Sequence, residues 1–291
     1  MDGDEERGQF VMAGSLRFLS VPGITESLAG RAGVLEVWPF SQGELAGVTE
    51  HFIDLAFANP EQLRDLPPSP QTRKDYFERI CAGGYPEPLA IQSPRVRSSW
   101  YDGYLTNVIE RDLREVARIR EDSAAESMLR YLASTIAQEL NITAVSNKTG
   151  FSAKTVRRYL DLLRTAFLIH RVPARSRNVT AKVVKHPNVH LTDTGVAAHL
   201  LSLNAAALAR PVAPCRGALL ETFVVNELAK QRVWSETDAR IHLWRDRSGL
   251  EVDIVPASRR RPRSRRGMQG SRLGQHGRLP GPCRAARQPG R

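Results

Sequence analysis

The feature that most constrains this chain is its final 33 residues, Arg259 to Arg291, which hold eleven Arg, six Gly and four Pro. The same stretch has no Asp, Glu, Lys, Val, Ile, Phe, Trp or Tyr. It cannot bury enough apolar surface to offset the entropy of ordering, so a disordered basic tail is expected at 258–291. Directly before it, Leu250-Glu251-Val252-Asp253-Ile254-Val255 reads as a strand. A strand needs partners, and the tail cannot supply them. The strand therefore reads as one piece of a sheet whose other pieces are absent, and an unpaired edge with an incomplete core is expected there.

Charge follows from the same feature. The chain carries +11 overall, and the tail alone contributes eleven Arg and no acid, so residues 1–258 are balanced. Any specific basic surface must be local rather than global. The three cysteines, Cys81, Cys215 and Cys283, form no C-x-x-C pair. That odd count suits a reduced, cytoplasmic protein. The acidic N-terminus has no apolar run after it, and no stretch of about 18 apolar residues occurs, so neither a signal peptide nor a membrane partner is expected.

Along the chain, residues 10–20 and Val34–Phe40 read as strands, and Ser41 with Glu44 three positions on reads as a capping box. Four prolines between Asn59 and Pro70 mark a crossing or linker. A long helix is expected over 98–121, with Tyr101, Tyr104, Leu105, Val108 and Ile109 on one face, and a second over 126–140. Residues 143–149 suggest a short helix, Gly150-Phe151 a turn, and Ser152 the cap of a longer helix. Val156, Leu160, Leu163 and Phe167 then make one buried stripe, while Lys154, Arg157, Arg158 and Arg164 take the other face. This is the helix-turn-helix pattern. Two strands, 168–172 and 182–191, with Arg175 and Arg177 between them, read as a wing. An Ala/Leu-rich helix is expected over 192–210, capped by Thr192 or Asp193. Another follows over 217–232, with Leu220, Val224 and Leu228 sharing a face. A hairpin, 241–245 and 250–255, turns at 246–249.

Several chemistries can be weighed from these residues. Glu251 and Asp253 are two apart on a strand, so they share a face about 7 Å apart along the chain. With Glu221 on the preceding helix they could hold Mg²⁺ through hard oxygen ligands. The alternative is that all three lie on solvated faces, and spacing alone favours it. Lys154, Arg157 and Arg158 could reach a DNA groove or its phosphates, with Arg175 and Arg177 as backbone contacts. The competing reading is a winged helix used only for packing. No Gly-Lys pair occurs, so a P-loop is absent and this chain is not expected to act alone as an NTPase.

In this order the segments resemble bacterial and archaeal proteins that join an AAA-type ATPase module to a carboxy-terminal domain of unknown function. Ala13-Gly14-Ser15, Ser27 to Arg31 and Leu35 to Ser41 resemble the end of the ATPase module. Gly83-Gly84-Tyr85-Pro86 and Glu110-Arg111-Asp112-Leu113 resemble the junction. Thr192-Asp193-Thr194-Gly195 resembles the end of the winged helix. Gly217, Glu221, Phe223-Val224, Glu227-Leu228, Trp244-Arg245 and Glu251-Val252-Asp253 resemble the start of the terminal domain.

The resemblance implies Ser15 at a polar sensor position near the γ-phosphate and Arg31 as a phosphate-sensing arginine. It implies a terminal domain similar to PD-(D/E)xK nucleases, with Glu221 and Asp253 as metal-facing catalytic acids. ATP and Mg²⁺ are cofactors of the family; none is expected for this chain, because the P-loop half and the Glu-x-Lys strand are missing. A frameshift in a GC-rich gene would account for the tail.

The fold class expected is mixed α/β, mainly helical. It comprises a remnant of an AAA module at 1–60, a linker and helical junction at 61–122, a winged helix-turn-helix at 123–210, a partial PD-(D/E)xK-like domain at 211–257 and the basic tail. The leading functional expectation is a truncated, non-catalytic family member whose winged helix binds DNA. One alternative is a metal-dependent nuclease-like enzyme or an ATPase subunit. Another is a regulatory module that binds a protein partner and no nucleic acid.

Overall fold

The structure, a computed structural model, describes residues 35–113, 122–173, 187–245 and 251–258, besides Val11, Ala13, Gly14 and Gly33. Within these the protein is mixed α/β and mainly helical. The helices are α1 (Gln42–Ala46), α2 (Phe52–Ala58), α3 (Arg73–Ala82), α4 (Pro86–Ala90), α5 (Pro94–Asn107), α6 (Asp122–Ser134), α7 (Ile142–Thr149), α8 (Ala153–Thr165), α9 (Thr194–Leu200), α10 (Ala205–Ala209) and α11 (Arg216–Gln231). A 3-10 turn spans Gln62–Arg64, and α5 runs into a π-helical segment at Val108–Leu113. Two antiparallel pairs join β1 (Ile169–Val172) to β2 (Asn188–Leu191), and β3 (Ala239–Arg245) to β4 (Glu251–Ser258).

The main core forms around α6. Met128, Leu129, Ala133 and Ile136 are fully buried and Leu132 almost so, a spacing that wraps about half of a helix. Against them pack Ile80 of α3, Tyr101 and Leu105 of α5, Leu160 and Leu163 of α8, Ile169 and Leu191 of the first strand pair, and Leu219 of α11. Each such side chain contributes about 2 kcal/mol by leaving water. A second, smaller cluster joins Ile53, Val172, Val225, Leu228, Ala229, Ala239 and Ile241, with Trp38 packed against it. It seats the β3–β4 hairpin against α11, α2 and the end of β1.

Strand β2 is held on both sides. Its register with β1 pairs Ile169 with Leu191 and Val172 with Asn188. On its other side, Ala137 N–H donates to Val189 O at 3.0 Å and Leu140 N–H to Pro187 O at 3.0 Å. The turn after α6 thus borders the strand pair.

Several expectations change. Leu35–Phe40 forms no strand: Phe40 N–H donates instead to Gly84 O at 2.8 Å, and Trp38 serves the second cluster. The 192–210 helix breaks into α9 and α10, because Ser202 takes a left-handed φ of 53° and Asn204 caps a new helix. On α11, Leu220 and Val224 are exposed, and the inner face is Leu219, Thr222, Phe223, Asn226, Ala229 and Lys230. That face carries polar groups because each finds an interior hydrogen bond; of the expected stripe, Leu228 is buried in the second cluster while Leu220 and Val224 are not. Cys81 is a free thiol, and Cys283 lies outside the described residues. The strand expected at 10–20, the wing loop with Arg175 and Arg177, the 246–249 turn and the tail fall outside the described residues, Val11, Ala13 and Gly14 aside. Among the described residues no helix is long and apolar enough to cross a membrane.

Candidate nucleic-acid interface and the polar junction beneath it

The α7–α8 pair is built by local chemistry. Asn141 caps α7 by accepting from Ala144 N–H at 2.9 Å. Gly150 ends it at φ 78°, a left-handed position that favours glycine. The hydroxyl of Ser146 donates to Phe151 O across the turn. Ser152 then caps α8 by accepting from Thr155 N–H at 3.2 Å. Helix α8 buries Val156, Tyr159, Leu160, Leu162 and Leu163. Its outer face exposes Lys154, Arg157, Arg158 and Arg164, with Asp161 among them. At about 100° per residue these side chains fall within roughly a third of the helix circumference. The sequence-predicted cations Lys154, Arg157 and Arg158 therefore do share one solvent-facing surface. Ser15, Arg31, Arg175 and Arg177 lie outside the described residues, and Asp253 is placed on β4 without a described side chain.

Beside α8 a cleft of about 370 Å³ opens between the α8 end, β1, α11, β3 and the Trp38 segment. Arg164, Arg171, Arg232 and Arg240 line it together with His170 and His242, and Glu36 is the acid in its lining. Arg171 reaches Asp161 at 3.5 Å. Partial burial, with Arg164 as a further contributor, lowers the Arg171 pKa from its usual value. Of the cleft arginines, Arg164 stood out in the sequence on the cationic helix face; Arg171, Arg232 and Arg240 did not, because they come from separate elements.

A polar junction brings together several of the residues behind the family resemblance. Asp193 is 3 % exposed; it caps α9 by accepting from Val196 N–H at 3.0 Å and also accepts from Gly84 N–H at 2.7 Å. Burial raises its pKa despite those hydrogen bonds. Glycine is required around it: a Cβ on Gly83, which sits at φ 72°, would collide with the Asp193 carboxylate, and one on Gly195 would strike the Tyr101 hydroxyl. Lys230 of α11 is 5 % exposed; its Nζ donates to Phe40 O at 2.9 Å and to Glu227 at 2.7 Å. Glu227 in turn accepts from Gln42 N–H at 2.7 Å, and Arg79 donates to Gln42 Oε1 at 3.0 Å. These residues tie the 38–42 segment, the α3 end, α9 and α11 together.

Glu221 faces inward. Its side chain is 10 % exposed and lies 3.9 Å from Nε2 of the buried His190. Burial holds His190 well below its ordinary pKa, with His170 next in effect, so the ring is neutral and the contact is not an ion pair. His190 Nδ1 also meets Thr222 Oγ1 at 3.0 Å. Asn226 meets His170 Nε2 at 2.8 Å and donates to Leu191 O and Thr192 O at 3.0 and 2.9 Å. The solvated-face reading of Glu221 is thereby corrected: the carboxylate is drawn to the polar seam between α11 and β2. Among the described residues, no group of three or more His, Cys, Asp or Glu side chains is arranged to hold a metal ion.

Comparison with known proteins gives matches over two stretches of the chain. Residues 73–207 match the model described as Domain of unknown function (DUF8612), and residues 216–263 match Domain of unknown function (DUF4143). Uncharacterized proteins of Mycobacterium bovis and Mycobacterium tuberculosis are each 25% identical to the chain over 254 residues, covering 87% of it and 51% of the relative. An uncharacterized protein of Haemophilus influenzae is 24% identical over 135 residues, 44% of this chain and 33% of its own length. The chain thus spans about half the length of the mycobacterial relatives it matches. No solved structure matches.

Proposed function

We propose that this chain is a non-catalytic connector related to AAA-type ATP-binding proteins, and that α7, α8, β1 and β2 form a winged helix that binds duplex DNA. One observation carries the reading: Lys154, Arg157, Arg158 and Arg164 are exposed together on the second helix of a tight glycine-turned pair whose opposite face is buried. A cationic second helix is the element that such motifs place in a major groove. The inward turn of Glu221 towards His190 favours a structural role for it over a metal-facing one. Ser15, Arg31 and Asp253 keep, in this proposal, the nucleotide-sensing and nuclease-like ancestry that the resemblance implies, without a working site.

The test is duplex binding by the full chain against the triple variant Lys154→Ala, Arg157→Ala, Arg158→Ala. Loss of three phosphate or base contacts lowers affinity about tenfold or more at moderate salt. Equal affinity of the two proteins would refer all binding to the Arg-rich tail and sink the proposal.

A further inference from the structure

The cleft beside α8 is the unexplained feature of the molecule. Among the described residues, five stretches of chain bring four guanidinium groups and two imidazoles to one space of about 370 Å³, with Glu36 as the one acid in the lining. That size suits a small ligand or one strand segment and excludes a duplex. Like charges gathered this closely repel one another unless an anion joins them. Asp161 offsets only part of this, since it reaches Arg171 at 3.5 Å from an exposed position.

Arg171 carries the second observation. Its Nε is buried and makes no hydrogen bond, although a guanidinium offers five donors in a fixed fork. Arg232 is held in place, because its Nε donates to Ala239 O at 2.7 Å. Trp38 stands edge-on to His170, ring centres 5.3 Å apart, and lines the same cleft. Preset arginine forks beside an aromatic ring are the chemistry that recognises phosphate next to a base or other flat group.

We propose that this cleft is a phosphoryl-binding site, with Arg171, Arg232 and Arg240 holding the phosphate oxygens. The ligand is either a small phosphorylated molecule or a phosphodiester of a nucleic-acid strand. The site is separate from the Lys154–Arg157–Arg158 surface and does not depend on it.

Calorimetric titration of the full chain with pyrophosphate tests the proposal at moderate salt. Saturable binding of one pyrophosphate per chain is expected, weakened about tenfold in Arg171→Gln and in Arg240→Gln. Arg240 is exposed, so its variant keeps the test valid if Arg171→Gln folds poorly. The Lys154/Arg157/Arg158 triple variant should bind pyrophosphate as the parent does. It would lose only duplex affinity, so failure of the winged-helix reading leaves a distinct signature. A short oligo-dT strand that displaces pyrophosphate identifies a nucleic-acid source; binding without displacement identifies a small ligand. No saturable binding, or affinity unchanged in both Gln variants, overturns the site.

Discussion

Replacing Asp193 with Ala probes the junction most sharply. The substitution removes the acceptor for Val196 N–H, which caps α9, and the acceptor for Gly84 N–H. Both donors are buried, and each orphaned donor costs about 1–3 kcal/mol. Against this stands the relief of a buried carboxylate whose pKa burial has raised. Lys230, which favours the ionised carboxylate, loses that attraction. The balance is a destabilisation of about 3 kcal/mol. Asp193→Asn keeps one acceptor oxygen and turns an amide towards the other donor, so about half of that loss is expected. Urea unfolding followed by circular dichroism measures both.

The pH dependence separates this account from a simple capping loss. A carboxyl whose folded pKa lies above its unfolded value of 3.8 holds its proton more tightly when folded. Its contribution to stability therefore falls as pH rises from 3.8 through the folded pKa. The parent should show this decline and Asp193→Ala should not. An Ala variant within about 0.5 kcal/mol of the parent, where surface substitutions usually fall, would refute the reasoning. So would an Asn variant as damaged as Ala.

Two further outcomes follow from the same seam. Gly195→Ala places a Cβ against the Tyr101 hydroxyl and 2.9 Å from Ala82 O, and should destabilise by about 2 kcal/mol in the same unfolding assay. His190 is buried neutral with a depressed pKa, so its contribution is fully present above pH 6.5 and is lost as pH falls through the folded value. Acid unfolding of His190→Asn should lack that component, and an unchanged acid profile would contradict the burial argument.

What the sequence disclosed was local. The Ser41–Glu44 capping box, the Gly150 turn, the Ser152 cap and the Val156–Leu160–Leu163 stripe all depend on residues within a few positions, and each is present, whereas Phe167, expected on the same stripe, falls past the end of α8 at a left-handed φ of 55°. The misreadings at 35–40 and on α11 share one cause, which is long-range pairing. Residues 35–40 look like a strand, but Phe40 finds its partner at Gly84. The inner face of α11 is partly polar because Thr222, Asn226 and Lys230 bond to β2 and to Phe40, which hydrophobic periodicity cannot register. Arg171, Arg232 and Arg240 are unremarkable in sequence and become a cluster only when α8, β1, α11 and β3 assemble.

The central claim, that the outer face of α8 grips DNA, is tested most directly by the salt dependence of duplex binding. Each phosphate neutralised adds about 0.9 to the slope of log K against log salt. Fluorescence anisotropy of the full chain and of the Lys154/Arg157/Arg158 triple-Ala variant, both retaining the tail, should give slopes that differ by roughly 3. Identical slopes would show that α8 makes no contact with the phosphate backbone.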